Sequence, residues 1–275
     1  MPSDRIVALG VVATLTVFGA AIATLDVSAD PVPGPQPGVA APATPAARPA
    51  RQVLMAAAQG LDDSGSARIR TDRQGPQGQS SADGTLSWGA RDIGDLRLAD
   101  RQGGGRLMVV DGVCYLAHDA QAGRWQRTER AGVEDLDPDA AGAGGYAGGW
   151  MTGLVSNPSG RLRSVALVGE LGTVGPEDVG GTAATHYRGT ATVDALFGAD
   201  QNLSGPRLAA VLGHYRAQGT ESVDYDVWIT GEDRLLRMRQ TVRGRAGTEV
   251  TTTDVSDPGV AFEVRAPGPA EVVGR

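Results

Sequence analysis

Val223-Asp224-Tyr225-Asp226-Val227-Trp228-Ile229 alternates with a period of two, so Val223, Tyr225, Val227 and Ile229 share one face while Asp224, Asp226 and Trp228 share the other. One greasy face and one wet face describe a half-buried antiparallel strand. Gly231-Glu232-Asp233 supplies a turn, and residues 235–242 repeat the pattern, with Leu236, Met238, Gln240 and Val242 set against Arg237, Arg239 and Thr241. Pairing the two strands brings Asp224 and Asp226 across from Arg237 and Arg239. Such solvent-side pairs contribute about a few tenths of a kcal/mol each and fix register.

The same period runs outward in both directions. Ala67, Ile69 and Thr71 mark one strand, Leu86 and Trp88 another, and Leu96 and Leu98 a third. Residues 106–117 hold Asp111-Gly112 between apolar flanks, a strong hairpin signal. Residues 185–193 and 248–254 read as further strands. Helical spacing occurs at residues 51–61, at 161–168, and at 206–217, where Leu208, Val211, Leu212 and Tyr215 recur on one face and Ser204 stands at the cap position. The total is about nine to eleven strands with a few helices. That is an α+β protein: a strongly curved antiparallel sheet forming a partly open barrel covered by a few helices, with a fully packed core as the alternative that the same alternation allows.

Ahead of this lies a different kind of sequence. Residues 6–25 are twenty uncharged, mostly apolar residues, long enough to span a bilayer, and Val27-Ser28-Ala29 also fits a small-x-small cleavage site. Residues 1–29 therefore form a hydrophobic helix acting as a signal peptide or a single transmembrane anchor. Either form puts the remainder outside the cytoplasm, on the extracytoplasmic face of the membrane or secreted. Residues 30–50 contain seven of the sixteen prolines and read as an extended Pro/Ala-rich linker, which leaves 51–275 as the folded domain.

Composition removes several function classes. All 25 basic residues are Arg, so chemistry that requires a lysine amine is excluded. The three histidines, His118, His186 and His214, and the single Cys114 lack metal-ligand spacing, and no cofactor site is read. A net charge of -7 with 4% aromatic residues argues against nucleic acid as a partner. No G-x-S-x-G elbow is present, the Gly142-Ala143-Gly144 stretch has no strand before it, and Asp135, Asp137 and Asp139 lack the Gly and terminal Glu of a calcium loop. Residues 131–149 read as a long surface loop, His186 as structural and the Cys114 thiol as buried.

Residues 51–275 resemble the actinobacterial lipoproteins of the LppX/LprA/LprG type, which share the fold of the LolA carrier and the RseB sensor. The resemblance rests on an order of elements: a helix with Gln52-Val53-Leu54, a strand entry at Gly84-Thr85-Leu86, and the run Met108-Val109-Val110-Asp111-Gly112-Val113-Cys114-Tyr115 leading to Trp125. Gly180-Gly181 then precedes Thr185-His186-Tyr187-Arg188-Gly189-Thr190, and after a helix comes Asp226-Val227-Trp228-Ile229 with a turn and an Arg-containing strand. The family's lipobox cysteine is missing, since residues 6–30 contain no Cys. The anchor is then a protein span, or the domain is free.

The resemblance implies a strongly curved antiparallel half-barrel, in a non-enzymatic envelope protein that holds the acyl chains of a lipid, lipoglycan or lipoprotein and passes them on, with the cell membrane contacted through the N-terminal segment. The alternative is an RseB-like sensor or regulator acting through a membrane protein partner. On alternation alone, the walls of a ligand cavity come from Ile69, Leu86, Leu96, Leu98, Met108, Val110, Val227, Ile229, Leu236 and Met238, with a lid from Leu208, Val211 and Leu212.

Overall fold

In a computed structural model of the chain, the described residues are 48–273 apart from 77, 102, 122, 130–156, 201, 202 and 204. The apolar stretch 6–25, most of the linker at 30–50, the loop at 131–149 with its three aspartates and glycines, and the capping Ser204 fall outside them. Among the described residues no helix is long and apolar enough to cross a membrane.

The chain opens with α1 (Ala50–Ser64), followed by a run of six strands: β1 (Ser66–Gly75), β2 (Gly78–Trp88), β3 (Asp92–Asp100), β4 (Gly103–Val110), β5 (Val113–His118) and β6 (Gln126–Glu129). After α2 (Ser159–Val168) come β7 (Glu170–Val179) and β8 (Thr182–Thr192), then the helices α3 (Val193–Gly198) and α4 (Gly205–Ala217). The hairpins of β9 (Ser222–Ile229), β10 (Leu235–Gly244) and β11 (Gly247–Ser256) close the series. All eleven strands join one curved, open antiparallel sheet in the order β6-β5-β4-β3-β2-β1-β11-β10-β9-β8-β7. Two meanders are thus joined where the first strand meets the last, with Ile69 opposite Val255 and Thr71 opposite Thr253.

Local chemistry explains most boundaries. Asp111 and Gly112 adopt φ 49° and 83°, the left-handed pair that a two-residue β4–β5 turn demands. Helix α1 runs three residues past the sequence-derived end, because Asp62, Asp63 and Ser64 continue the helix until Gly65, at φ 67°, terminates it. Strand β7 escaped the sequence reading. It carries Gly172, Gly175 and Pro176, a bulge falls between Thr173 and Gly175, and most of its residues are exposed, so no alternation marks it.

The core lies on the concave side of the sheet. Helix α1 buries Val53, Leu54, Ala57, Ala58 and Leu61, α2 buries Leu162, Val165 and Ala166, and α3 buries Val193, Leu196 and Phe197, all in one cluster with the sheet. Each of the Val, Leu and Phe side chains contributes about 1.5–3 kcal/mol on burial. Asp62 fastens the helical layer, accepting hydrogen bonds from Asn157 Nδ2 at 2.7 Å and Ser159 Oγ at 2.5 Å and pairing with Arg163. On the convex side the C-terminal segment crosses from the β11 end. Gly259 N–H donates to Ser66 O, Ser66 Oγ donates to Val260 O, and Trp125 forms a bridge with Val272.

Curvature demands close strand approach at Gly84, where an added Cβ would run into the carbonyl oxygen of Asp95 and lie 2.8 Å from the Leu96 Cα. Gly172 has open space at the same position. Gly84→Val is therefore expected to lower stability by about 1–3 kcal/mol, while Gly172→Ala leaves it unchanged or slightly raised. Urea unfolding of the two variants checks the contrast.

Candidate functional site

The register settles which side chains make the concave wall. Strand β3 contributes Leu96 and Leu98, with Leu96 opposite Gly84 and Leu107, and β2 adds Ala82 and Leu86. Strand β4 continues with Leu107 and Val109, which lie opposite Leu116 and Cys114 of β5. On the other meander, Val227 faces Met238 and Tyr187, and Ile229 faces Leu235 and Thr185. The wall is apolar from β5 round to β8, apart from a central band with Thr71, Thr253 and Gln240.

Seven of the ten sequence-derived wall residues fall on this face: Ile69, Leu86, Leu96, Leu98, Val227, Ile229 and Met238, each at most 8% exposed. Three do not. Met108 and Val110 point to the convex side, because they share register with Asp95 and Ile93, not with Leu96 and Gly94. Met108 is buried there against the C-terminal segment, in a groove of about 480 Å³ that Asp95, Arg106, Trp125, Glu263, Arg265 and Pro267 help to line. Leu236 is half-buried and outside the core cluster, since the bulge between Leu235 and Arg237 gives the position opposite Ile229 to Leu235. The lid residues Leu208, Val211 and Leu212 sit half-buried on α4 and pack against the core.

Sequence reasoning missed Leu107, Val109, Cys114 and Leu116 as wall residues. The doubled apolar run Leu107-Met108-Val109-Val110 signalled a strand covered on both faces but not which phase faces inward. Among the described residues the main helix-on-sheet packing falls on β1 and β7–β10. On the far wall Leu96, Leu98 and Leu107 are wholly buried.

A polar cluster sits under the helices. Tyr225 donates to Gln240 Oε1 at 3.0 Å, and Gln240 Nε2 donates to the Tyr215 hydroxyl at 3.3 Å. Burial raises both tyrosines above the ordinary phenol range, which keeps their hydroxyls neutral. The Arg161 guanidinium lies 4.3 Å from the centre of the Phe197 ring, and Phe197 lies 4.9 Å from the ring of Tyr215.

The second cluster is on the convex face and explains His186. Its ring stacks on Trp228 at 4.4 Å, Nδ1 meets Glu177 Oε1 at 2.8 Å and Nε2 meets Asp226 Oδ1 at 2.8 Å. The Trp228 indole donates to Glu177 Oε2, Arg188 donates to Asp226, and Arg239 lies over the Trp228 ring. Hydrogen bonds from Trp228 and His186 hold the Glu177 carboxyl below its usual range. Both ring nitrogens of His186 are engaged and only 3% of the residue is exposed, so the cluster ties β7, β8 and β9 together instead of presenting a reactive group.

The fold and site define a class: an open half-barrel with an apolar concave wall roofed by small helices. No protein-family model matches the chain. An uncharacterized 31.2 kDa protein in the rplA-rplJ intergenic region of Streptomyces griseus is 29% identical over 137 residues, which are 49% of this chain and 45% of that protein. The match thus spans less than half of the relative's length. Among solved structures, the chain is similar to LprF from Mycobacterium bovis, with a TM-score of 0.49 and 12% identity over 79% of this chain and 96% of that one. It is also similar to the lipoprotein LppX from Mycobacterium tuberculosis, with a TM-score of 0.45 and 14% identity over 78% of this chain and 99% of that one. The Pseudomonas aeruginosa MucA/MucB complex gives a TM-score of 0.35 and 13% identity over 75% of this chain and 55% of that one.

The roof over this wall depends on Asp62. Its partial burial pushes the carboxyl up, but hydrogen bonds from Ser159, Asn157 and Arg163 outweigh that and hold it below the usual 3.8. A carboxylate depressed in the folded state stabilises the protein above its unfolded value and loses that contribution as pH falls through the lower folded one. Asp62→Asn is therefore expected to cost about 1–3 kcal/mol at neutral pH. Its deficit against the parent protein should shrink as pH drops below 3.8, as urea unfolding across pH will report.

Proposed function

We propose that this chain is a non-catalytic cell-envelope protein that holds the acyl chains of a lipid, lipoglycan or lipoprotein against the concave wall of its half-barrel, for transport or transfer. The observation that carries the reading is the wall itself: Leu86, Leu96, Leu98, Leu107, Val109 and Leu116 form one apolar surface across β2–β5, while among the described residues the main helix packing falls on the other strands. Each methylene moved from water onto such a surface contributes about 0.8 kcal/mol. An acyl chain therefore binds there without any specific polar contact.

The resemblance of residues 51–275 to the LppX/LprA/LprG type supports the same reading. The apolar stretch at 6–25 supports export, with the domain held at the membrane or released from it. The described residues bring no nucleophile and base together at the wall, and the convex histidine cluster is internally satisfied. Binding is thus the chemistry this geometry serves.

Mass spectrometry of lipids extracted from the purified protein is the direct test. Copurifying acyl lipid is expected, and the absence of both copurified and exchangeable lipid would overturn the proposal. Leu98→Trp adds bulk at a wholly buried wall position, so occupancy should fall several-fold at a stability cost of about 1–3 kcal/mol, with circular dichroism confirming that the variant is folded. Delivery of bound lipid to acceptor vesicles distinguishes a carrier from an envelope sensor, which keeps its ligand.

A further inference from the structure

We propose that Arg161 is an anion-binding point in the polar cluster under the helices and that it selects an acyl ligand whose head carries a carboxylate or a phosphate. This rests on the lipid-holding reading and adds the charge class of the ligand to it. Arg161 belongs to α2, yet its side chain is only 18% exposed, and its Nη1 is buried with no hydrogen-bond partner among the described residues. Among the described residues its carboxylate neighbour is Asp200, whose Oδ2 stands 3.7 Å from Nη2, beyond good hydrogen-bond range.

A guanidinium taken from water with one N–H unmatched carries a desolvation cost; Tyr225, Tyr215 and Asp200 favour its charge, yet none of them accepts from Nη1. Were Arg161 a purely structural group, its fork would be filled, as the Arg237 fork is filled by both carboxylate oxygens of Asp254.

The surroundings supply the rest of a receptor. The hydrogen-bond chain from Tyr225 through Gln240 ends on the Tyr215 hydroxyl, which accepts there and keeps its own proton for another acceptor. Arg161 acts electrostatically on both tyrosines, and the guanidinium and the Tyr215 ring both pack on Phe197. An anion accepting from Arg161 Nη1 satisfies the unmatched donor, and the Tyr215 hydroxyl supplies a further donor in the same cluster. Val227 and Ile229 of the wall adjoin the cluster on the same strand as Tyr225, so the tail of such a ligand continues onto apolar surface.

The test uses the full chain with three probes: palmitate, dipalmitoyl phosphatidic acid and dipalmitoylglycerol, each competed against a fluorescent fatty acid. At least one anionic probe should bind about tenfold or more tighter than dipalmitoylglycerol, the gain expected from one charge-assisted hydrogen bond. Comparing palmitate with phosphatidic acid tells whether a carboxylate or a phosphate is preferred. Arg161→Met should abolish the preference and leave dipalmitoylglycerol binding intact, and Arg161→Lys, which keeps charge without the fork, should fall between. The Lys variant decides the matter if the Met variant fails to fold.

Equal binding of all three probes by the parent protein overturns the anion site but leaves the lipid-holding reading standing. A preference that survives both substitutions does the same. Binding of none of them overturns both.

Discussion

The antiparallel ladder between β1 and β11 is the constraint on which the rest of the molecule depends. It runs from Arg68 opposite Ser256 to Gln74 opposite Val250, and at its centre the buried hydroxyls of Thr71 and Thr253 lie 3.3 Å apart. Every other strand pair in the sheet is a hairpin neighbour or sits within one meander, so this ladder alone turns two separate sheets into one wall. Closing so long a loop costs about 5 kcal/mol in chain entropy. The ladder must recover that cost before a single concave face exists. The helices then have a single surface to cover, and α1 touches strands from both meanders.

The alternation in residues 223–229 and 235–242 was enough to read the antiparallel sheet, because one face of those strands is wet and the other dry. The strand identities around Ile69, Leu86, Leu96 and Leu98 were legible for the same reason. Phase was lost wherever both faces are covered. In β4, Met108 looks as inward as Leu107 because the C-terminal segment shields the convex side, and that segment carries no periodic signal of its own. At Leu235 and Leu236 a bulge shifts the register by one residue, and two adjacent leucines give no hint of which is taken. Strand β7 was invisible because an exposed edge strand has no apolar face to reveal.

The polar features divided in the same way. His186 reads correctly as structural from its place on a strand, but its partners Glu177 and Asp226 become visible only when β7, β8 and β9 are laid side by side. Arg161 gave no signal at all. It sits in a short, weakly amphipathic helix among other arginines, and only the positions of Phe197 and the two tyrosines turn it from a surface charge into an interior one. Long-range packing, not local pattern, distinguishes this arginine from its neighbour Arg163 on the same helix.

The two ends of the strand order bear on how the molecule behaves at high concentration. An open sheet leaves two rows of unpaired amides and carbonyls that a second molecule's strand can copy. Here one row belongs to β7, where Pro176 removes a donor and the bulge after Thr173 breaks the straight run. The other belongs to β6, four residues long, with the neighbouring Trp125 tied to Val272. Among the described residues, then, neither border offers a long straight template for another molecule's strand, which disfavours end-to-end stacking of sheets.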